Sequence, residues 1–315
     1  MNNLDVFIGV DIGGSSVKIG VVDSNCKILH KEVIVNNISD INIFFNDICS
    51  ILDKLYEQFN IKSIGVGVPG IVRDEVLYIA PNFNYPDWHN IDIGKIFRKR
   101  FSCSITIDND AKAAAIAELK YGAGMCFNDF VYITLGTGIG GAIIINKNIY
   151  RGMHNAAGEI GHLIIESKLN NVETDIEVLN KYRLGVVEEY FSKYKIIELA
   201  NNLLKENNNS ILYNRNFDVV DISYAAQKGD KVAIECLVKS GEYLGIAIAN
   251  IVNLLDITNF VIGGGIARSN DIMFKSALET AKLRAIPAFS KDIILKQAKF
   301  LDETGIIGAA LLGKS

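Results

Sequence analysis

Val10-Asp-Ile-Gly-Gly-Ser-Ser-Val-Lys-Ile-Gly-Val21 has the pattern of a strand, a polar turn rich in glycine and a second strand. The stretch Ile133-Thr-Leu-Gly-Thr-Gly-Ile-Gly-Gly-Ala-Ile-Ile144 follows the same plan about 120 positions later. Either stretch alone fits an ordinary β-hairpin. Because both occur in one chain, we interpret them as a duplicated architecture of two related lobes.

The rest of the chain alternates between strand and helix patterns. Helical spacing of apolar residues covers 41–59, 111–121 and 230–255. Short β-branched runs predict strands at Val6–Val10, Val17–Val22, Ile28–Val35, Ile64–Val68, Ile105–Ile107, Phe130–Leu135, Ala142–Ile145, Phe260–Ile262 and Ile293–Leu295. Alternation of this kind indicates an α/β protein.

The composition favours a globular protein without a polyanionic partner. The chain has 315 residues, 49% of them hydrophobic, and a formal net charge of −4. A negative balance argues against binding to nucleic acid or an anionic membrane surface. No apolar run approaches the roughly 18 residues that span a bilayer. Five cysteines without a Cys-x-x-Cys pair argue against a disulfide framework. We therefore expect a soluble, cytoplasmic protein.

The glycines of the two repeated turns are suited to binding phosphate, because glycine lets backbone N–H groups approach an anion closely. Both turns are followed by strands, which excludes the P-loop and the dinucleotide fingerprint, where a helix follows. Asp11, at the end of the first strand, is a suitable oxygen ligand for Mg²⁺, directly or through water. Lys18, on the second strand, fits either a phosphate contact or a solvated edge residue.

Three further segments have a structural and a functional interpretation. The triple glycine Gly263–Gly265 could offer a flat backbone surface to an adenine ring or form a tight turn between strand and helix. Asp110, ahead of an alanine-rich run, could act on a substrate or cap a helix. Glu159 and His162, three residues apart, could bind a polyol or form a surface pair.

Taken together, these motifs resemble those of the ROK sugar kinases. The similarity extends from Val6 to the terminal run 305–312 and keeps the order of the motifs throughout. The motifs are Asp11-Ile-Gly-Gly-Ser-Ser-x-Lys18, Val68-Pro-Gly70, Asn109-Asp110-x-x-Ala-Ala114, Leu135-Gly-Thr-Gly-Ile-Gly-Gly141, Ala157-Gly-Glu159-Ile-Gly-His162 and Val261-Ile-Gly-Gly-Gly265.

The resemblance implies a two-lobed actin-like ATPase fold, related to ribonuclease H, with duplicated lobes around a central cleft. Residues 1–107 with 304–315 are expected to form the N-terminal lobe, and residues 108–303 the larger one. It also implies a homodimer.

The resemblance further implies transfer of the γ-phosphate of ATP to a sugar hydroxyl, with Asp110 as the catalytic carboxylate. The expected acceptor is the 6-OH of a hexose or an N-acetylhexosamine, with glucose or N-acetylmannosamine favoured. The implied sugar contacts are Gly70, Asn82, Asn109, Asp110, Glu159, His162 and Glu177. The implied ATP contacts are Asp11, Gly13, Gly14, Ser15, Ser16, Lys18, Thr137, Gly138, Gly264 and Gly265, with Mg²⁺ at Asp11.

One departure from the family pattern concerns zinc. The family follows Glu-x-Gly-His with Cys-x-Cys-Gly-x-x-Gly-Cys-x-Glu, whose cysteines and the histidine hold a structural zinc ion and whose last glutamate touches the sugar. Lys168, Asn170 and Asp175 replace the cysteines here. Tetrahedral zinc needs about four soft or imidazole ligands, so we predict no structural zinc. The same alignment, which needs a shorter loop after His162, places Glu177 against the sugar.

Two other functions fit parts of the pattern. A transcriptional repressor of the same family keeps the sugar site but needs a helix-turn-helix domain ahead of the first strand, where only about four residues precede it here. A sugar sensor without turnover is disfavoured by the presence of both Asp11 and Asp110. We expect discrimination among sugars to lie in Phe83–His89, which includes the only tryptophan, Trp88.

Overall fold

A computed structural model describes residues 4–14, 16–35, 40–80, 88–167, 184–269, 271–301 and 303–314. The chain forms two compact units. The first comprises Met1–Cys126, Asn148–Ala157 and Asp302–Ser315, and the second comprises Phe127–Lys147 and Gly158–Leu301. The first unit is thus assembled from separate segments of the chain. Within the described ranges no helix is long and apolar enough to cross a membrane.

The first unit is built on a sheet of mixed direction. Its elements along the chain are β1 (Asp5–Ile12), β2 (Ser16–Asp23), β3 (Ile28–Val35), α1 (Ile41–Gln58), β4 (Asn60–Val68), β5 (Ile71–Arg73), β6 (Val76–Ile79), β7 (His89–Asp92), α2 (Ile93–Arg98), β8 (Ser104–Asn109), α3 (Asp110–Tyr121), a 3₁₀ turn (Ala123–Cys126), β11 (Asn148–Tyr150) and α10 (Thr304–Gly313). The main sheet has the order β3-β2-β1-β4-β8, and β5-β6-β7 form a small separate sheet. Strands β1, β4 and β8 are parallel neighbours, so their carboxyl ends lie at one edge of the sheet.

Helices pack on this sheet through apolar side chains and through glycines. The buried face of α1, with Phe44, Phe45 and Ile48, joins the strands in one hydrophobic core. Helix α10 approaches more closely, because a Cβ on Gly9 would overlap the Ile306 carbonyl group. The glycines of the strands therefore let the last helix lie directly against the backbone of the first and fourth strands.

The second unit repeats the topology of the first. Its elements are β9 (Phe130–Leu135), β10 (Ile139–Ile145), a 3₁₀ turn (Ile160–His162), α4 (Val187–Tyr190), α5 (Lys193–Leu204), α6 (Val219–Gln227), α7 (Lys231–Leu255), β12 (Asn259–Gly263), a 3₁₀ turn (Gly265–Ser269), α8 (Asp271–Arg284), α9 (Pro287–Ser290) and β13 (Ile294–Gln297). Strands β10-β9-β12-β13 lie in that order. Their directions match those of β2-β1-β4-β8: an antiparallel hairpin followed by two parallel neighbours. The predicted α/β class and duplication are confirmed.

The first compact unit continues past residue 107, where the sequence predicted the end of the N-terminal lobe. Helix α3 follows β8 directly and packs against α10, with a Cβ on Gly308 overlapping the Ala113 carbonyl group. This close packing places α3 in the same compact unit as the first sheet.

Trp88 belongs to the core of the first unit. It is fully buried, and its ring lies 5.0 Å from that of Phe44 and 6.0 Å from that of Phe45. A ring packed in this way stabilises α1 against the small sheet. The rest of the segment expected to discriminate among sugars, apart from His89, lies outside the described residues, as does Asn82.

Candidate active site

Asn109 and Asp110 lie where β8 ends and α3 begins. The Asn109 side chain caps the helix, since its Oδ1 accepts hydrogen bonds from the backbone N–H groups of Ala111 at 2.9 Å and Lys112 at 3.2 Å. Asp110 is the first helical residue, and its Oδ1 accepts from Ala111 at 2.8 Å. The helix cap is therefore Asn109, and the capping interpretation of Asp110 is wrong.

The Asn109 side chain is also fixed from its other end. Its Nδ2 donates to the Gly70 carbonyl oxygen at 3.0 Å, and the residue is 8% exposed. Gly70 has φ +107°, and a Cβ there would overlap the Ile79 carbonyl group, so only glycine fits. The predicted sugar residues Gly70, Asn109 and Asp110 thus lie together at the carboxyl ends of β4 and β8.

Asp11 and Lys18 face each other across the β1–β2 hairpin. The Lys18 Nζ lies 3.6 Å from Asp11 Oδ2, and the Asp11 side chain is 17% exposed. Burial raises the pKa of the Asp11 carboxyl group, and the charge of Lys18 opposes the rise only in part. Strand β2 lies between β3 and β1, so Lys18 is not on an edge strand, although its side chain is 38% exposed.

The start of α10 lies against Asp11, which the sequence did not predict. A Cβ on Gly305 would overlap the Asp11 carboxylate, and the neighbouring Thr304 hydroxyl group is buried without a hydrogen-bond partner among the described residues. A carboxylate beside the positive end of a helix is stabilised as the anion. An ionised oxygen in this position fits Mg²⁺, which takes one or two carboxylates together with phosphate and water.

The β1–β2 turn leaves backbone accessible next to Asp11. Gly13 closes the turn by donating its N–H to the Ser16 carbonyl oxygen at 2.9 Å. No atom lies within 4 Å of the position that a Cβ on Gly14 would occupy, which leaves space beside the backbone. Ser15 lies outside the described residues.

The corresponding turn of the second unit joins β9 to β10. The N–H of Gly136 donates to the Gly138 carbonyl oxygen at 3.0 Å, which leaves Thr137 exposed at the tip. The Glu188 carboxylate accepts from the Ile139 N–H at 2.8 Å and lies 2.5 Å from the position of a Cβ on Gly138. Glu188 of helix α4 therefore holds the β9–β10 turn through its hydrogen bond with the Ile139 N–H.

Glu159 precedes a 3₁₀ turn in the second unit, and His162 is the last residue of that turn. Glu159 is half-buried and His162 is exposed. Among the described residues, neither side chain forms an ion pair, so the interpretation as a surface pair is not supported. Both side chains remain accessible to a polar ligand.

Glu188 is a candidate sugar contact that the sequence analysis missed. Its Oε2 lies 3.3 Å from the position of a Cβ on Gly161, inside the turn between Glu159 and His162. Gly185-Val-Val-Glu188 has the glycine-to-glutamate spacing that ends the family's cysteine pattern, and this spacing could have identified it. Glu177 and the stretch 168–177 lie outside the described residues, so Glu177 as a sugar contact and the expected lack of zinc stay predictions.

The glycine run at the end of β12 forms the tight turn that the sequence offered as one alternative, and its binding of adenine stays a prediction. Gly264 has φ +86°, and a Cβ there would overlap the backbone of Leu135, so the turn requires glycine. Gly265 starts a 3₁₀ turn, and no atom lies within 4 Å of its Cβ position. The run is a tight turn that also exposes backbone.

Several predicted residues of each unit lie at the carboxyl ends of its parallel strands. In the first unit, Asp11, Gly67 and Asp108 lie side by side across β1, β4 and β8. In the second, Gly138 follows β9 and Gly264 follows β12, which pair in parallel. Ligands of open α/β sheets bind at this edge, outside the carboxyl ends of the strands.

The ROK family model matches residues 7–315 of the chain. The chain belongs to the ROK family. This ROK protein is 28% identical to the glucokinase of Halalkalibacterium halodurans, over 98% of its own length and 94% of that protein. It is also 28% identical to the xylose repressor of Caldicellulosiruptor bescii, over 79% of its own length and 61% of the repressor.

A solved structure supports the same assignment. The ROK family glucokinase from Streptomyces griseus, crystallised in complex with glucose and AMPPNP, aligns with a TM-score of 0.81 at 27% identity. The alignment covers 98% of this ROK protein and 99% of that chain. The ROK protein therefore has the actin-like ATPase fold that its motifs predicted.

Proposed function

We propose that this ROK protein is an ATP-dependent sugar kinase. It transfers the γ-phosphate of ATP to a hydroxyl group, the 6-OH, of a hexose or an N-acetylhexosamine, with glucose or N-acetylmannosamine favoured. The observation that carries the proposal is the placement of Asp110. Its backbone is fixed by the Asn109 cap and the Gly70 contact, at the same sheet edge as the half-buried Asp11 carboxylate.

Asp110 acts on the acceptor hydroxyl group. A carboxylate is a weak base toward a neutral hydroxyl, so Asp110 orients the group and takes its proton late, as the new oxygen–phosphorus bond forms and the bond to ADP breaks. Asn109, Glu159 and His162 bind the other hydroxyl groups of the sugar. Gly70, Asn82 and either Glu177 or Glu188 complete the proposed sugar site. Because such groups both donate and accept, they distinguish a sugar from its epimers.

The two glycine turns and Asp11 receive the nucleotide. The backbones of Gly13, Gly14 and Gly138 and the side chains of Lys18 and Thr137 are the proposed phosphate contacts, and Gly264 and Gly265 are the proposed adenosine contacts. Mg²⁺ held by Asp11 neutralises phosphate charge when it is bound. Positioning and charge neutralisation are what a loose phosphoryl-transfer transition state requires of a protein.

A coupled ATP assay over a panel of hexoses and N-acetylhexosamines tests the proposal. Turnover with at least one sugar is expected, and Asp110→Asn should lower kcat by about 10² to 10⁴-fold because it removes the proton acceptor. Asp47→Asn, an exposed change on α1, serves as the control and should keep full activity. Absence of phosphorylation with every sugar would overturn the proposal.

A sugar sensor without turnover is the second candidate, and the similarity to the xylose repressor supports it. This alternative predicts that a sugar raises the melting temperature of the wild-type protein while no ADP forms in its presence. Calorimetric binding measured beside the turnover assay separates the two functions.

A further inference from the structure

A buried lysine follows Asp110 after one residue. Lys112 lies in the first turn of α3 and is only 2% exposed. Its Nζ donates to both the backbone oxygen and the side-chain Oδ1 of Asn155, the latter at 3.1 Å. Lysine is seldom buried without partners, and the first turn is the positive end of the helix dipole. The position is therefore costly for the helix, and the contacts with Asn155 offset that cost.

Asn155 connects this lysine to the strand that precedes the helix. Its Nδ2 donates to the Val72 carbonyl oxygen at 2.5 Å and lies 3.3 Å from Asp108 Oδ1. Its backbone has φ +56°, a left-handed conformation that asparagine adopts more readily than most residues. One side chain thus contacts Lys112, Val72 and Asp108.

Asp108, which precedes Asn109 and Asp110 in the sequence, is a further member of this buried polar network. It is 1% exposed, and its Oδ1 also accepts from the Asn109 N–H at 2.8 Å. Its Oδ2 pairs with Arg151 Nη1 at 2.5 Å. Two buried charged residues, Asp108 and Lys112, therefore bracket Asn109 and Asp110 in the sequence, and both contact Asn155.

We propose that Lys112 is a positioning residue for Asp110 and Asn109, and that it acts through Asn155 and Asp108. The inference rests on the proposed kinase function. With Lys112 and Asp108 both tied to Asn155, the first turn of α3 cannot shift or rotate against β8 without breaking buried polar contacts. Orientation to within about 1 Å is what such catalysis requires, and a misplacement of that size costs on the order of 10²-fold in rate.

Lys112→Met tests the proposal, because it keeps an unbranched side chain and removes the ammonium group. We expect kcat to fall about 10- to 100-fold and the KM for the sugar to rise, with the KM for ATP unchanged, at a temperature where the variant is fully folded. Lys120→Met, an exposed change in the last turn of the same helix, is the matched control and should behave as wild type.

Asn155→Gly gives an independent test at the other end of the contact. Glycine tolerates φ +56°, so this variant removes the side-chain contacts without backbone strain, and it carries the test if Lys112→Met does not fold. Because Lys112 keeps its contact with the backbone oxygen of residue 155, we expect kcat and the sugar KM to change in the same direction as in Lys112→Met, though not by the same factor. The double variant should be no worse than the more impaired single variant.

The two proposals fail in different ways in these assays. A lower melting temperature with kcat and sugar KM within twofold of wild type in both variants would make Lys112 a stability residue and overturn this inference alone. Lack of turnover in the wild-type protein with every sugar would overturn the kinase function itself.

Discussion

Asp11 combines a proposed functional role with a cost to stability. Burial raises the pKa of its carboxyl group, so ionisation costs more free energy in the folded protein than in water, while binding of a cation requires the ionised form. Lys18, 3.6 Å away, reduces this cost without removing it. Functional residues commonly lower the stability of the folded protein in this way, and the surrounding structure offsets the loss.

Asp11→Asn should therefore stabilise the folded protein while it abolishes turnover. Because the pKa is higher in the folded state than the ordinary 3.8, stability falls as pH rises through the folded pKa and is unaffected by this group well below 3.8. The gain in melting temperature should be largest near pH 7.5 and should shrink on acidification. Thermal denaturation of both proteins at several pH values measures it, and an asparagine variant that melts lower at neutral pH contradicts the expectation.

Gly305→Ala should impair the nucleotide side of the site selectively. Its Cβ would overlap the Asp11 carboxylate, so the carboxylate must move away from the start of α10. We expect a higher KM for Mg²⁺-ATP and a lower kcat by about 10-fold or more, with sugar affinity retained. Sugar binding measured by calorimetry is the internal control, and an equal loss of both affinities would indicate general disruption instead.

The roles of single residues could be predicted only in part. The Asn109-Asp110 pair marked a helix start, but either residue can cap a helix, so only the hydrogen bonds separate them. Glu188 escaped notice because the family spacing fits the chain in two frames. Gly305 lies against Asp11 across nearly the whole length of the chain, and no local pattern reports such a contact.

At the scale of elements, the longest helix depends on a defined cap. Asp230 precedes α7, and its carboxylate accepts from the N–H groups of Ala233 at 3.0 Å and Ile211 at 2.6 Å. Burial acts to raise the pKa of this group, but the backbone hydrogen bonds outweigh burial and the pKa is lowered. The cap therefore stabilises the protein in its ionised form.

Asp230→Ala should lower the free energy of unfolding by about 1–2 kcal/mol at neutral pH. The contribution is present above the ordinary value of 3.8 and is lost as pH falls through the lower folded pKa. Urea denaturation at pH 7 and at acid pH measures the difference, with the exposed Glu206→Ala as control. A pH-independent difference between Asp230→Ala and wild type would show that the lost charge is not the cause.

Elements were predictable where the packed face is made of large apolar residues. Strands such as β1 and β9 are rich in branched residues, and α1 has a clear apolar stripe. Helix α8 was missed because its packed face is formed mainly by small residues that approach Gly241 and Gly245 of α7. The strands β5 to β7 are too short, at 3 to 4 residues, to show a period.

At the scale of the whole molecule, the effect of a chelator distinguishes a Mg²⁺ site needed for turnover from a zinc site needed for folding. If Mg²⁺ serves at Asp11 and no structural zinc is present, a chelator should abolish turnover, added Mg²⁺ should restore it fully, and the melting temperature should not change. Elemental analysis of the purified protein should find less than one zinc per chain. A chelator that unfolds the protein would contradict the prediction.

The close packing of α10 on β1 and β4 has a consequence for the folding of the chain during its synthesis. The first strands leave the ribosome early, yet their glycine-lined face is covered only when residues 304–313 have been made. Domains generally fold as units during translation, so the second unit can fold while the amino-terminal strands still wait for their last partner. Removal of residues 304–315 should therefore leave a nascent chain that is held by chaperones and is not released as soluble protein, although no residue of α10 is proposed to touch the sugar.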